Sequence, residues 1–352
     1  METIIISAAM LFIIAFVVTS ITIPLIIKLC RKKRLFAENG GRHIHVGKIC
    51  AFGGVPIFLG IFGAQLYLLL DPPDLYVDYF PYYILGFSVA LLFFVGFIDD
   101  LLDIKARDKF LIQLLLASLL VFRAGIYIES FHGLFGLYEL PLWFAYPFSI
   151  TTIIFLVNAF NLIDGVDSLS ASIGILALSV FSYYFYHTGN YYDFLIAVSV
   201  LASLIGFWFF NKPPAKIFMG DTGTLSVGVL LAYFSIQMCN ISTEGMSGMN
   251  PVFVMIVLSY PVIDTLRVFI KRISKGNSPF TPDRSHLHHR LIDLGYSHGK
   301  TTFIIIFVSL IFISLTYLLK EQKTLSFFVM LVLVGTSSQV PGIINWYRKK
   351  SI

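Results

Sequence analysis

Runs of roughly 20 apolar residues recur along this chain, and a run of that length is what a helix needs to cross the hydrocarbon of a bilayer. About eleven are readable, over residues 4–28, 51–70, 80–98, 110–128, 142–160, 169–187, 194–210, 224–240, 251–270, 302–319 and 325–346. Composition leaves no soluble alternative for 352 residues, of which 57% are hydrophobic and 13% charged. A water-soluble core of that size would require a more polar shell. The expected fold class is therefore an all-α polytopic integral membrane protein, with 1–352 forming one transmembrane domain. The first run reads as a span rather than a secretory signal, because no basic residue precedes it and Arg31, Lys32, Lys33 and Arg34 follow it.

Basic residues set the orientation. With the N-terminus outside, 22 of the 25 Lys and Arg residues fall in the inner segments, against Lys320 and Lys323 outside and Arg123 in the outer part of the fourth run. The inner segments, which include the candidate active-site loops at about 30–50, 99–109, 158–168, 211–222 and 271–300 as well as the C-terminus, are then cytoplasmic. Cys30, Cys50 and Cys239 show no CxxC spacing, so neither a disulfide framework nor a thiolate metal site is expected.

Polar chemistry gathers at these inner segments. The third run ends in Asp99 and Asp100, two adjacent carboxylates that repel each other and suit a cation partner. The fifth ends in Asn158, Asn161, Asp164 and Asp167, spaced by three; on a helix each step drifts about 60°, giving one slanted polar stripe. No Lys or Arg lies in that segment, so the stripe calls for an external cation or a polar ligand. After the seventh run, Pro213 and Pro214 stop the helix, and Phe218 and Asp221 lead into the next one. An aspartate there is also a simple helix cap.

The last inner loop carries Arg284, His286, His288, His289 and Arg290. Zinc is the rival reading, but the arginines disfavour a cation and both residue types donate to phosphate. His43 and His45 of the first inner loop could extend this basic wall. Asp264 has Arg267 as its i,i+3 neighbour and reads as half of a structural pair. Hard oxygen donors from three segments suit Mg²⁺, with Mn²⁺ as the alternative, and Mg²⁺ bridges phosphate oxygens. Phosphoryl transfer between a lipid and a soluble phosphate ester follows from a site at the bilayer surface.

These motifs carry a family resemblance. Asp99-Asp100, the Asn158–Asp167 segment, Phe218–Gly223 and His286–His289, in this order, resemble the polyprenyl-phosphate N-acetylhexosamine-1-phosphate transferases along essentially the whole chain. The chain looks most like the branch that moves GlcNAc-1-phosphate from UDP-GlcNAc to undecaprenyl phosphate, initiating O-antigen, enterobacterial common antigen or teichoic acid linkage units. The interrupted His-Leu-His-His form departs from the three consecutive histidines usual in the muramoyl-pentapeptide branch, which remains the nearest alternative. The resemblance implies Mg²⁺ held by Asn161 and Asp221, and Asp99 deprotonating or orienting the lipid phosphate with Asp100 near the metal and phosphates. It implies Asp164 and Asp167 lining the nucleotide site, Asn211 beside the uracil and Phe218 stacked on it. Arg284, His286, His288 and His289 would contact the sugar or diphosphate. UMP would leave, by direct attack or through an aspartyl-phosphate. The implied partners are a UDP-N-acetylhexosamine, undecaprenyl phosphate and the lipid bilayer of the plasma membrane, with a homodimer by analogy and no nucleic acid.

Two departures stand out: Ser168 replaces a usual glycine after Asp167, and Lys48 and Cys50 occupy places where prolines are usual. A cation-coupled transporter is the rival from another class, but such proteins keep polar sites at mid-bilayer on broken helices in related halves. Here only Arg123 and Asp264 lie inside the runs, and no paired halves are visible.

Overall fold

The computed structural model describes residues 2–35, 49–73, 75, 77–241, 251–276 and 285–350. Helices α1 (Glu2–Lys33), α2 (Gly54–Leu70), α3 (Phe80–Leu102) and α4 (Ala106–Phe122) lead to a short antiparallel hairpin, β1 (Ser130–Leu134) with β2 (Leu137–Glu139). There follow α5 (Leu142–Leu162), α6 (Leu169–His187), α7 (Tyr191–Asn211) and α8 (Gly220–Asn240). The chain closes with α9 (Pro251–Val257), α10 (Ser259–Ile273), α11 (Leu287–Asp293), α12 (His298–Leu318) and α13 (Lys323–Lys350).

Every apolar run contains a helix, but the expected count of spans changes. Among the described residues, eight helices are long and apolar enough to cross a bilayer, or nine with α9 and α10 taken as one span. Helix α2 has 17 residues and falls short. Helix α4 also has 17, and its first turn holds Arg107, Asp108 and Lys109, which shortens its apolar length. The run at 251–270 is not one straight helix: α9 and α10 meet at Leu258 with an 85° bend. Beyond it α10 carries Asp264, Arg267, Lys271 and Arg272 and turns one side toward the protein.

Helix α8 is the axis of the molecule. Nearly all of its residues are buried, because α2, α3, α5 and α6 pack around it. Helix α7 joins α1 and α2 in a second group behind. Outward-facing Ile5, Ile21, Phe87, Phe94, Phe303 and Phe307 stay exposed, an arrangement that only a lipid solvent makes favourable. The chain is a multi-pass membrane protein.

At one end of the bundle the backbone before α2 runs beside the backbone before α8. Phe218 N–H donates to the Cys50 carbonyl at 2.8 Å, and Gly53 and Gly54 N–H donate to the Phe218 and Met219 carbonyls at 2.9 Å each. Contrary to expectation, Cys30 at the end of α1 and Cys50 are joined as a disulfide, while Cys239 is free and buried. A separation of 20 residues hides this pairing, which the packing of α1 beside the start of α2 creates.

Candidate active site

The ends of α3, α4, α5 and α8 meet at that same end of the bundle. Helix α8 starts at Gly220, whose φ of +70° favours glycine, so Asp221 enters in the first turn. Helix α3 passes so close that a Cβ on Gly96 would sit 2.3 Å from the Asp221 carbonyl oxygen. This approach brings Asp99 and Asp100 against the head of α8.

Asp221 is the hub. Its Oδ1 accepts from Asn161 Nδ2 at 2.9 Å, and its Oδ2 accepts from Lys109 Nζ at 3.2 Å. Lys109 also donates to Asp99 Oδ2 at 2.7 Å, while Asp99 Oδ1 accepts from the Ile104 N–H at 2.7 Å. Asn161 Nδ2 is held from its other side by Thr224 Oγ1 at 2.7 Å. Four helix ends thus share one network in which a single ammonium faces two carboxylates.

Asp100 does something different from its neighbour. Its Oδ1 accepts from the Asp221 N–H at 2.9 Å, and its Oδ2 accepts from the Thr222 N–H at 2.9 Å and from Thr222 Oγ1 at 2.5 Å. The two N–H groups are donors that a helix leaves unpaired at its N-terminus. The carboxylate therefore closes the head of α8 from a neighbouring helix and fixes where Asp221 points.

The slanted stripe expected on one helix is divided. Helix α5 ends at Leu162, so Asn158 and Asn161 are helical while Asp164 and Asp167 lie in the turn before α6. Asn158 faces α4, where its Nδ2 donates to Gln113 Oε1 at 2.6 Å. Asp164 accepts from Ser170 Oγ at 2.5 Å. Burial pushes its carboxyl up to about 7; the Ser170 hydroxyl opposes the rise and the charge of Asp221 adds to it.

Asp167 and Asn211 are buried and engaged within the protein. Asp167 Oδ2 accepts from the Ala215 N–H at 3.1 Å, and Oδ1 lies 3.1 Å from His298 Nδ1. Asn211 accepts from the Ser168 N–H at 2.9 Å and donates to the Ile217 carbonyl at 2.8 Å. Both tie together the turns that carry Asp164 and Phe218. Ser168 has a φ of +62°, the left-handed region where glycine is at ease, so a side chain here costs about 1 kcal/mol.

The histidine segment closes the site from the side of α10. Asp264 accepts from Arg267 Nη2 at 2.8 Å, from the Leu287 N–H at 2.9 Å, and pairs with His286 Nδ1 at 2.8 Å. The expected pair with Arg267 is present, and the same carboxylate also seats the histidines. Tyr260 hydroxyl meets His288 Nδ1 at 2.8 Å. Burial and the neighbouring His289 hold His288 well below the usual imidazole range, so its ring is neutral. Its Nε2 has no partner among the described residues and lies 2.9 Å from where a Cβ on Gly165 would be. The histidines therefore abut the Asp164–Asp167 turn. Arg284, His43, His45 and Lys48 fall outside the described residues.

Lys109, Thr222, Thr224, Ser170 and Tyr260 are site residues that sequence reading misses. Lys109 contributes there only to the count of inner basic residues, and nothing local marks it as the partner of Asp99 and Asp221. Among the described residues no three His, Cys, Asp or Glu side chains form a cage for a metal ion. Asp221 instead turns one oxygen to the Asn161 amide nitrogen and the other to the Lys109 ammonium, beside further carboxylates.

A largely helical membrane bundle with this carboxylate–amide–lysine network beside an imidazole cluster defines a class of membrane-embedded proteins with a polar, charged site at one end of the bundle. Residues 82–239 match the model of the family described as glycosyl transferase family 4. A Bacillus subtilis protein named "Probable undecaprenyl-phosphate N-acetylglucosaminyl 1-phosphate transferase" is 30% identical over 342 residues, covering 95% of this chain and 93% of its own. The undecaprenyl-phosphate alpha-N-acetylglucosaminyl 1-phosphate transferase of Yersinia pestis is 27% identical, over 84% of this chain and 80% of its own. The decaprenyl-phosphate N-acetylglucosaminephosphotransferase of Mycobacterium tuberculosis is 32% identical, over 75% and 70%. The chain belongs to glycosyl transferase family 4.

Proposed function

We propose that this protein transfers GlcNAc-1-phosphate from UDP-GlcNAc to undecaprenyl phosphate at the cytoplasmic face of the plasma membrane, releasing UMP and starting a cell-envelope polysaccharide. The observation that carries the reading is the network of Asp99, Lys109, Asn161 and Asp221, set on four helix ends beside the histidine segment. Relatives named for the same transfer along most of their length support it.

The donor set fits a divalent cation. Mg²⁺ is usually held by one or two carboxylates together with substrate phosphates, so a caged three-residue site is not required. Asp221 would hold it together with Asn161, whose amide donates to Asp221 at 2.9 Å and would turn its oxygen to the ion, and the cation would neutralise charge developing on the diphosphate. Lys109 bridges Asp99 and Asp221 and can turn from either carboxylate to a phosphate oxygen. Once Lys109 turns away, Asp99 Oδ2 is free to orient the lipid phosphate or take its proton. An oxygen of the lipid phosphate then bonds to the sugar-bearing phosphorus as the bond from that phosphorus to the UMP oxygen breaks. His286 would donate to the diphosphate or sugar, and Phe218 would present its ring to the uracil. Asp100 takes no part in the bond changes and keeps Asp221 in place.

Membranes given a panel of labelled UDP-sugars with undecaprenyl phosphate should yield UMP and organic-phase label together from UDP-GlcNAc. Label without UMP, or UMP without lipid-linked label, would refute the reaction. Asp99→Asn should lower turnover at least about a hundredfold while the protein still inserts, as expected when one preorganised charged group is lost. EDTA should stop turnover and added Mg²⁺ should restore it; activity that survives chelation would remove the metal from the proposal.

A further inference from the structure

A second polar cavity, of about 430 Å³, opens at the opposite end of the bundle. Its lining includes Asp78, Tyr82, Tyr192, Asp193, Tyr233 and Gln237, and no Lys, Arg or His lines it among the described residues. Tyr233 lies 12 residues beyond Asp221 on α8, about 18 Å along the axis, so this cavity is separate from the transfer site. Asp193 stands in the first turn of α7 and is only 7% exposed. Its Oδ1 accepts from the Tyr233 hydroxyl at 2.5 Å, and no ion pair to it exists among the described residues.

A buried carboxylate at a membrane interface with only phenol partners lacks a compensating charge. The rings around it supply a surface suited to one. Tyr82 and Tyr192 lie 4.4 Å apart in an edge-to-face contact, Tyr79 stands 5.6 Å from Tyr192, and Tyr82 is 6.4 Å from Tyr233. Tyrosine faces joined to a carboxylate are what an ammonium group recognises. The volume suits a small ligand or a lipid headgroup, and the negative lining rejects an anion.

We propose that this outer cavity is a binding site for an organic ammonium group, supplied by a free amine or by an amine-bearing phospholipid headgroup, with Asp193 as counter-ion and the tyrosines as its wall. The inference does not depend on the transfer reaction. It is tested on the whole protein in nanodiscs of phosphatidylglycerol, titrated with ethanolamine or tetramethylammonium, and in discs that also contain phosphatidylethanolamine. An amine-dependent rise in Tm is expected in at least one arm, and the arm that responds identifies the source. Asp193→Asn keeps the side-chain shape and should weaken the response at least about tenfold while leaving the transferase rate unchanged. Tyr192→Leu keeps the carboxylate and should weaken the response as well, which decides the matter if Asp193→Asn does not fold. No response in either arm, a response in both variants as strong as in the unaltered protein, or the same response to uncharged glucose would overturn the site.

Discussion

Asp221→Asn is expected to abolish formation of lipid-linked sugar, with a loss of at least about a hundredfold, while the protein still inserts and folds. The reason is convergence: Asp221 receives Lys109 on one oxygen and Asn161 on the other, and its backbone N–H is held by Asp100. An amide at this position retains the shape and the helix, because the bonds that Asp100 makes to the head of α8 use backbone N–H groups and Thr222. It removes the charge that would bind a cation and balance Lys109. Measuring UMP release alongside the thermal unfolding of the solubilised protein separates lost chemistry from lost structure. Near-normal turnover in a well-folded variant would remove Asp221 from the centre of the site.

The largest effect on stability is expected at Asp264. This carboxylate is buried, and it satisfies the Arg267 guanidinium, His286 Nδ1 and the Leu287 N–H at once. Asp264→Ala takes from the partly buried Arg267 its carboxylate, leaving it the Ser285 carbonyl, and leaves His286 Nδ1 and the Leu287 N–H without their acceptor, a change that costs up to about 3 kcal/mol. Folding yield and Tm should fall together, and activity with them, because the histidine segment loses its anchor. Asp264→Asn should be milder, since it still accepts from Leu287. An alanine variant with unchanged Tm would show that the segment is held by something else; a stable variant that loses only activity would move Asp264 from support to chemistry.

Particular residues show how far the chain can be read unaided. The apolar runs announce helices because a bilayer leaves backbone groups no other way to be satisfied. Asp99, Asn161 and Asp221 stand out as carboxylates and an amide at the inner ends of such runs, where polar groups need a reason. Lys109 does not stand out, since one lysine among many inner basic residues looks like part of the orientation signal. Asp167 and Asn211 stand out as motif positions, but their hydrogen bonds to the Ala215 and Ser168 N–H groups, which tie neighbouring turns together, do not. The disulfide between Cys30 and Cys50 and the 85° bend at Leu258 have no local signature and come from packing.

By itself the amino-acid order determined the solvent, the helices and the short list of polar groups, because each follows from hydrophobic length or from local spacing. Which of those groups touch was decided only in three dimensions. The near contact of Gly96 with Asp221 and the left-handed Gly220 set the head of α8 against Asp99 and Asp100, residues more than a hundred positions earlier. Side-chain roles of this kind depend on distances across helix ends, and distance along the chain carries no information about them.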